Sequence, residues 1–238
     1  MRKYIAEVIG TFVLLFVGTG TVIVNDITAG GLGVAGIALG WGLVVAAMIY
    51  SIGDISGAHI NPAVTIAFWA AKRFEGRQVV PYIVSQCIGA IAASVLLRLM
   101  YPMQETLGAT VPIDSALQSF VMEIMLTAIL MFVVLNVTVG AKEKGITAGL
   151  AIGGVISFEV LCGGPISGAS MNPARSLAPA LVAGPLQPLW IYLTAPVIGA
   201  LLAVPISHYL RSEPPVVVKQ SESLSAETAS AEGASADV

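Results

Sequence analysis

The chain contains 238 residues, of which 56% are hydrophobic and 11% are charged, whereas soluble domains carry about 25% charged residues. This composition excludes an ordinary soluble domain and places the chain in a lipid bilayer. The net charge of −3 offers no basic surface, and the sequence contains no nucleophile–base set, phosphate-binding loop or metal-ligand spacing. We therefore expect no nucleic-acid partner, no enzymatic activity and no metal or other cofactor.

Six apolar runs are long enough to cross a bilayer, which requires about 20 residues per helix. They cover approximately 4–24, 33–53, 79–100, 119–139, 146–163 and 188–210. The first run follows two basic residues, as in a signal peptide, but its length and the spans that follow predict a retained helix. The fold class predicted is an all-α membrane protein.

Nearly the same phrase follows the second and the fifth span. It reads SGAHINPAVT at 56–65 and SGASMNPARS at 167–176. An apolar segment follows each copy, VTIAFWAA at 64–71 and SLAPALVA at 176–183, and both segments are too short to span. We predict two re-entrant half-helices, which enter the membrane and turn back.

The Asn-Pro-Ala motif in each phrase predicts a helix that begins inside the membrane. The two copies comprise Asn61, Pro62 and Ala63, and Asn172, Pro173 and Ala174. Proline suits the first helical turn, and the preceding Asn is a good N-cap. Capping leaves each Asn with two amide donors that can face a lumen. Both helices would direct their positive dipole ends at one point. A water molecule there would accept hydrogen bonds from both Asn residues, so its own hydrogens would point outward in both directions. This arrangement interrupts the chain of waters that proton transfer requires.

The basic residues predict the orientation of the spans. In a six-span topology with both termini inside, nine of them fall on the cytoplasmic side, whereas the predicted outer loops 25–32 and 101–118 contain none. These nine are Arg2, Lys3, Lys72, Arg73, Arg77, Lys142, Lys144, Arg211 and Lys219. Arg98 and Arg175 depart from the pattern. We predict a multi-pass protein of the plasma membrane with cytoplasmic termini.

An internal repeat follows from this topology. Glu7 in AEVIGTFVLLF matches Glu123 in MEIMLTAILMF, and Asn61 matches Asn172. Each half contains an odd number of spans, so the second half is predicted to be inverted relative to the first. Interrupted segments at corresponding positions of two inverted halves indicate a substrate site near the bilayer midplane.

These doubled motifs resemble the signature of the aquaporins, the major intrinsic protein family, over about residues 1–211. The resemblance implies an aquaporin-like channel domain at 1–211, with repeat halves at about 4–100 and 119–211. It also implies a homotetramer with one pore per subunit, which conducts water and small neutral solutes. Residues 212–238 are rich in Ser, Ala and Glu and are predicted to form a disordered cytoplasmic tail; a phosphoregulated gate is the alternative.

By this resemblance, four side chains form the outer selectivity filter, at positions counted from the two motifs: Trp41, Val160, Ala169 and Arg175. Strictly water-selective members usually carry Phe and His at the first two positions. Val160 and Ala169 imply a wider lumen with an apolar side, and Arg175 supplies a polar side. The set is similar to that of the nodulin-26-like channels, which pass glycerol and uncharged metalloid hydroxides as well as water.

Other positions depart from the glycerol-facilitator branch, which usually has Asp after the filter Arg and Lys four residues further on. Here these positions are Ser176 and Ala180. We therefore favour a mixed channel for water and small uncharged solutes, including glycerol and arsenite. The alternatives are a strictly water-selective aquaporin, a non-conducting membrane scaffold and an alternating-access transporter. The transporter would require an ionisable residue that binds a coupling ion where the two motifs meet in the membrane, and the sequence predicts none at that place.

Four more polar residues need explanation, three inside predicted spans and His59 in the first motif phrase. The resemblance implies that Glu7 and Glu123 accept hydrogen bonds from backbone N–H groups of the re-entrant loops; the alternative is that they extend to the membrane interface. His59 is expected to line the cytoplasmic half of the pore, as a packing residue or as a proton-sensing gate. Glu159 has three open roles: orienting or pairing with Arg175, lining the outer vestibule, or facing a neighbouring subunit.

Overall fold

The computed structural model describes residues 1–138 and 142–211, with side chains in the second range from Thr147 onward. These residues form eight α-helices and no strand. The helices are α1 (Arg2–Ile27), α2 (Gly33–Ser56), α3 (Pro62–Ala70), α4 (Gly76–Met100), α5 (Ala116–Val137), α6 (Lys142–Ser167), α7 (Pro173–Val182) and α8 (Leu189–Arg211). The predicted tail at 212–238 lies outside the described residues, as do Lys219 and the side chains of Lys142 and Lys144.

Six helices are long and apolar enough to cross a membrane, namely α1, α2, α4, α5, α6 and α8. The prediction of an all-α membrane protein with six spans is therefore confirmed. Most helices extend beyond the predicted runs; α1, for example, continues through Asn25 and Asp26 to Ile27. Helical hydrogen bonds continue into polar flanking residues, so an apolar run underestimates the length of its helix.

The remaining helices, α3 and α7, contain 9 and 10 residues. At 1.5 Å per residue each extends only about half of the roughly 30 Å hydrocarbon layer. Both begin at the proline of their motif, Pro62 and Pro173, with the preceding Asn as N-cap. The helices therefore start two or three residues before the apolar segments 64–71 and 176–183.

Close helix contacts recur at matching places in the two halves. A Cβ atom added to Gly89 on α4 would lie 2.2 Å from the carbonyl oxygen of Val8 on α1. A Cβ added to Gly199 on α8 would lie 2.2 Å from the carbonyl oxygen of Ile124 on α5. Real atoms cannot approach so closely, so each glycine allows two helix backbones to touch. The recurrence supports the predicted repeat.

The Gly89→Ala variant is expected to lose stability because its methyl group must push α1 and α4 apart. Overpacking of this kind costs about 1–3 kcal/mol. Gly154→Ala on α6 is the matched control, since a Cβ there meets no atom within 4 Å. Thermal unfolding in detergent would measure both variants. A melting temperature of Gly89→Ala equal to that of Gly154→Ala would contradict the tight contact.

Candidate functional site

The beginnings of α3 and α7 are capped by their own asparagine side chains. Asn61 Oδ1 accepts a hydrogen bond from the N–H of Ala63 at 2.9 Å. Asn172 Oδ1 accepts from the N–H groups of Ala174 and Arg175 at 3.0 and 3.3 Å. Both Asn residues have extended backbone, as N-cap residues require. The local structure thus agrees with a helix start at each motif.

Each Asn also binds the loop that precedes the other motif. Asn61 Nδ2 donates to the carbonyl oxygen of Met171 at 2.8 Å, and Asn172 Nδ2 donates to that of Ile60 at 2.9 Å. Ile60 and Met171 have φ angles of 43° and 53°, so their carbonyls are outside any helix and need a partner. The expectation of two lumen-facing donors per Asn is therefore wrong. Each side chain has one N–H left for the lumen.

Glu7 on α1 binds the backbone of the loop that precedes α3. Its carboxylate accepts hydrogen bonds from the backbone N–H groups of His59 and Ile60 at 3.0 and 2.7 Å. Two side chains also donate to it, Ser56 Oγ at 2.7 Å and Gln86 Nε2 at 2.8 Å. Glu7 is fully buried, and these four donors replace the water that an ionised group would otherwise need.

Glu123 on α5 plays the matching part for the second loop. It accepts from the backbone N–H groups of Ser170 and Met171, both at 2.8 Å, and from Ser167 Oγ at 2.7 Å. Glu123 is also fully buried, and in the second half Pro196 occupies the place that matches Gln86. The Glu123 carboxylate therefore has only three of the four donors that surround Glu7. Neither carboxylate reaches the membrane interface.

Two tyrosines complete this support and are absent from the sequence-based candidates. The hydroxyl of Tyr82 donates to the carbonyl oxygen of Ser56 at 2.9 Å. The hydroxyl of Tyr192 donates to that of Ser167 at 2.7 Å. The tyrosines lie at nearly the same distance along the chain from their partners, 26 and 25 residues. Systematic alignment of the two halves would have revealed them.

A cavity runs beside the two helix starts. Its wall includes seven of the predicted residues: Trp41, His59, Asn61, Val160, Ala169, Asn172 and Arg175. Most of the remaining wall is apolar and comprises side chains such as Leu14, Val45, Val64 and Ile152. The structure therefore brings the predicted filter positions, the Asn pair and His59 into one amphipathic space. Among the described residues, no three His, Cys, Asp or Glu side chains gather into a potential metal site.

Arg175 supplies the cationic group of this cavity. It is 4% exposed, and its Nη1 donates to the carbonyl oxygen of Gly108 at 2.8 Å. The guanidinium carbon lies 4.7 Å from the ring centroid of Trp41, a distance that gives a favourable cation–π interaction. A Cβ at Gly18 would lie 2.4 Å from the Trp41 ring, so the indole depends on glycine at this position. Gly108 and Gly18 were not predicted.

His59 also lines the cavity and lies among aromatic rings. Its ring centroid is 4.8 Å from that of Phe68 and 4.7 Å from that of Phe74. Its Nδ1 lies 3.1 Å from the hydroxyl of Thr65, and the residue is 8% exposed. These contacts hold the imidazole in place by packing, which favours the structural alternative over the proton-sensing gate.

Glu159 departs from the expectations made for it. It is fully buried and absent from the cavity wall, so a position in the outer vestibule or on a subunit surface is wrong. Within the described part of the chain, neither carboxylate oxygen has a hydrogen-bond partner. The alternative that Glu159 orients or pairs with Arg175 is also wrong, because neither carboxylate oxygen contacts that guanidinium; Arg175 donates to Gly108 instead.

Comparisons with known proteins agree with this geometry. Residues 1–206 match the family model described as major intrinsic protein. Aquaporin NIP1-1 of Zea mays is 47% identical over 202 residues, which cover 84% of this chain and 72% of that protein. Nodulin-26 of Glycine max is 44% identical over 212 residues, covering 89% and 78%. The X-ray structure of the aquaglyceroporin from Plasmodium falciparum superimposes with a TM-score of 0.74 and 27% identity, over 87% of this chain and 98% of that one.

Proposed function

Because the chain belongs to the major intrinsic protein family and is therefore an aquaporin-family channel, we propose that it is a passive pore that admits water and small uncharged solutes and excludes protons and other ions. The observation that carries this proposal is the amphipathic cavity. Asn61, Asn172 and Arg175 supply its polar side, and apolar side chains form most of its remaining wall. The family is a channel family, and the chain is a multi-pass membrane protein.

Proton exclusion follows from the Asn pair. Each Asn retains one amide N–H after binding the opposite loop, so a water molecule between them accepts two hydrogen bonds. Its own hydrogens then point away from the centre in both directions, which interrupts a chain of hydrogen-bonded waters. The positive ends of α3 and α7 meet at the same point and, together with Arg175, raise the barrier for cations.

The filter composition supports glycerol and arsenite as additional solutes. Val160 and Ala169 are small and apolar, and the Arg175 guanidinium lies over the Trp41 ring, so the constriction has room for carbon beside a donor for hydroxyl groups. A strictly water-selective pore would need a bulkier or more polar residue at 160. Relatives at 44–47% identity include nodulin-26 and NIP aquaporins, which fits the mixed-solute proposal.

The membrane arrangement is part of the same proposal. The distribution of basic residues favours cytoplasmic termini, and we place the protein in the plasma membrane. The channel domain is 1–211. Resemblance to the family favours a homotetramer with one pore per subunit.

Stopped-flow measurements on proteoliposomes test this function with water, glycerol, urea and arsenite as permeants. We expect water, glycerol and arsenite permeabilities well above those of protein-free vesicles, with no saturation and no response to a proton gradient. Permeability at the protein-free level would instead support a scaffold. Saturable flux driven by protons would support a transporter, and water flux alone a strictly water-selective aquaporin.

Val160→His is expected to shift the pore toward water, because the imidazole restores both bulk and a polar wall. One methylene-sized steric difference at a binding surface changes discrimination by about 10-fold or more, so the glycerol-to-water permeability ratio should fall by about that factor. Val160→Leu adds bulk without polarity and should reduce both permeabilities. An unchanged ratio in Val160→His would mean that residue 160 does not form the constriction.

A further inference from the structure

The loop between α4 and α5 reaches the filter through its backbone. The carbonyl oxygen of Gly108 accepts a hydrogen bond from Arg175 Nη1 at 2.8 Å. Leu107 and Gly108 have φ angles of 50° and 67° and form a tight turn. A positive φ is unfavourable for leucine, so this turn needs contacts that stabilise it. The direction of the Gly108 carbonyl, and with it the orientation of the Arg175 guanidinium, therefore depends on what holds this turn.

A buried hydroxyl two residues after Gly108 ties the turn to α7. Thr110 Oγ1 donates to Ser176 Oγ at 2.7 Å, and Ser176 Oγ also lies 2.5 Å from Ser170 Oγ. Thr110 and Ser176 are 5% and 1% exposed. A Cβ at Gly168 would lie 2.9 Å from Thr110 Cγ2, so the loop that leads to the second motif packs directly on Thr110.

The first half of the chain uses the matching hydroxyl differently. Thr65 occupies the place of Ser176, four residues after the motif Asn, and accepts a hydrogen bond from Gln86 Nε2 at 3.0 Å. Gln86 lies on α4, so α3 is tied to a helix. The Ser176 hydroxyl on α7 is bonded instead to Thr110, in the loop whose Gly108 carbonyl accepts from Arg175. The repeat has thus diverged at the position that reaches the filter.

We propose that Thr110 and Ser176 are positioning residues of the filter. Their hydrogen bond fixes the turn at 107–108, the Gly108 carbonyl holds the Arg175 guanidinium over Trp41, and this arrangement sets the largest solute that passes. The inference rests on the proposed channel function, in which Arg175 narrows the pore. It adds Thr110 as a specificity-determining residue and gives a structural reason for the effect of position 176; neither side chain is among the residues that line the cavity.

The test removes the hydroxyl while keeping the shape of the side chain. In proteoliposomes, Thr110→Val is expected to raise the glycerol-to-water permeability ratio by about threefold, the effect of losing one neutral hydrogen bond. Thr110→Ser restores a hydroxyl and should return the wild-type ratio. A ratio of two permeabilities does not depend on how much folded channel each vesicle contains, so a purely structural role would change yield and melting temperature but not this ratio.

A second variant tests whether the two residues act as a pair. Ser176→Ala should raise the ratio at least as much as Thr110→Val, because it also removes the contact with Ser170 Oγ. The double variant should raise the ratio no further than Ser176→Ala alone, because the contact between Thr110 and Ser176 is already lost there. An unchanged ratio in Thr110→Val, no rescue by Thr110→Ser, or additive effects in the double variant would each overturn the inference. Arg175→Val in the same assay distinguishes failure of the positioning pair from failure of the proposed filter. If it alters the ratio and Thr110→Val does not, only the positioning pair is wrong; if it has no effect, the proposed filter itself is wrong.

Discussion

Arg175→Val channels are expected to leak cations and protons and to accept larger neutral solutes. The substitution removes the cationic side chain that lines the described cavity. A unit charge acting over about 4 Å contributes on the order of 4 kcal/mol at an effective dielectric constant of 20, so cation rejection should fall by at least about a hundredfold. Fluorescence quenching of a pH dye in proteoliposomes under a proton gradient measures the leak, and stopped-flow scattering measures glycerol and urea.

Arg175→Lys is the matched control. Lysine keeps the charge but loses the planar group that stacks on Trp41 and donates to Gly108. Cation rejection should therefore survive in this variant while discrimination among neutral solutes is altered. If Arg175→Val retains wild-type selectivity for both ions and solutes, the filter assignment is contradicted.

Glu123→Gln is expected to give the largest loss of stability among the buried acidic residues. The carboxylate accepts three hydrogen bonds and donates none, whereas an amide turns two N–H groups toward these donors. A buried donor left without an acceptor costs about 1–3 kcal/mol, so the melting temperature in detergent should fall by about 5 °C or more. Conduction per channel should fall as well, because the loop at Ser170 and Met171 lines the cavity.

Two further acidic residues serve as controls for this prediction. Glu7→Gln should be milder, because Gln86 has a buried Oε1 atom without a partner among the described residues and its amide can turn to accept from the new side chain. Glu159→Gln should keep or raise the melting temperature, because its carboxylate has no hydrogen-bond partner within the described part of the chain. Equal losses in all three variants would show that hydrogen bonding at Glu123 is not the cause.

The membrane helices were predictable because a helix must be apolar over a minimum length to cross the bilayer. Six runs of the sequence meet this requirement, and each corresponds to one long helix. The last span is an example, predicted at 188–210 and found at Leu189–Arg211. The starts of α3 and α7 were predictable for a local reason: Asn followed by Pro supplies both the cap and the first helical residue. Both kinds of prediction depend only on neighbouring residues.

The missing parts of the site depend on contacts between distant residues. Gly108 acts through its backbone carbonyl, 67 residues away from Arg175 along the chain. Every residue has such a carbonyl, so the residue type at 108 does not indicate this role. One amide N–H of each motif Asn donates to a carbonyl more than 100 residues away along the chain. The sequence around each Asn could therefore not indicate this hydrogen bond. Glu159 was misplaced because its helix position allows several directions, and only packing decides among them.

The exchange of hydrogen bonds between Asn61 and Met171, and between Asn172 and Ile60, has a consequence for biosynthesis. Translation delivers the amino-terminal half to the membrane first. Until residues 171 and 172 have been synthesised, the Ile60 carbonyl lacks its donor, Asn172 Nδ2, and the Asn61 amide lacks its acceptor, the Met171 carbonyl. These polar groups then have no partner from the second half at the depth of the lipid. The first loop can therefore complete these hydrogen bonds only after the second motif has entered the membrane.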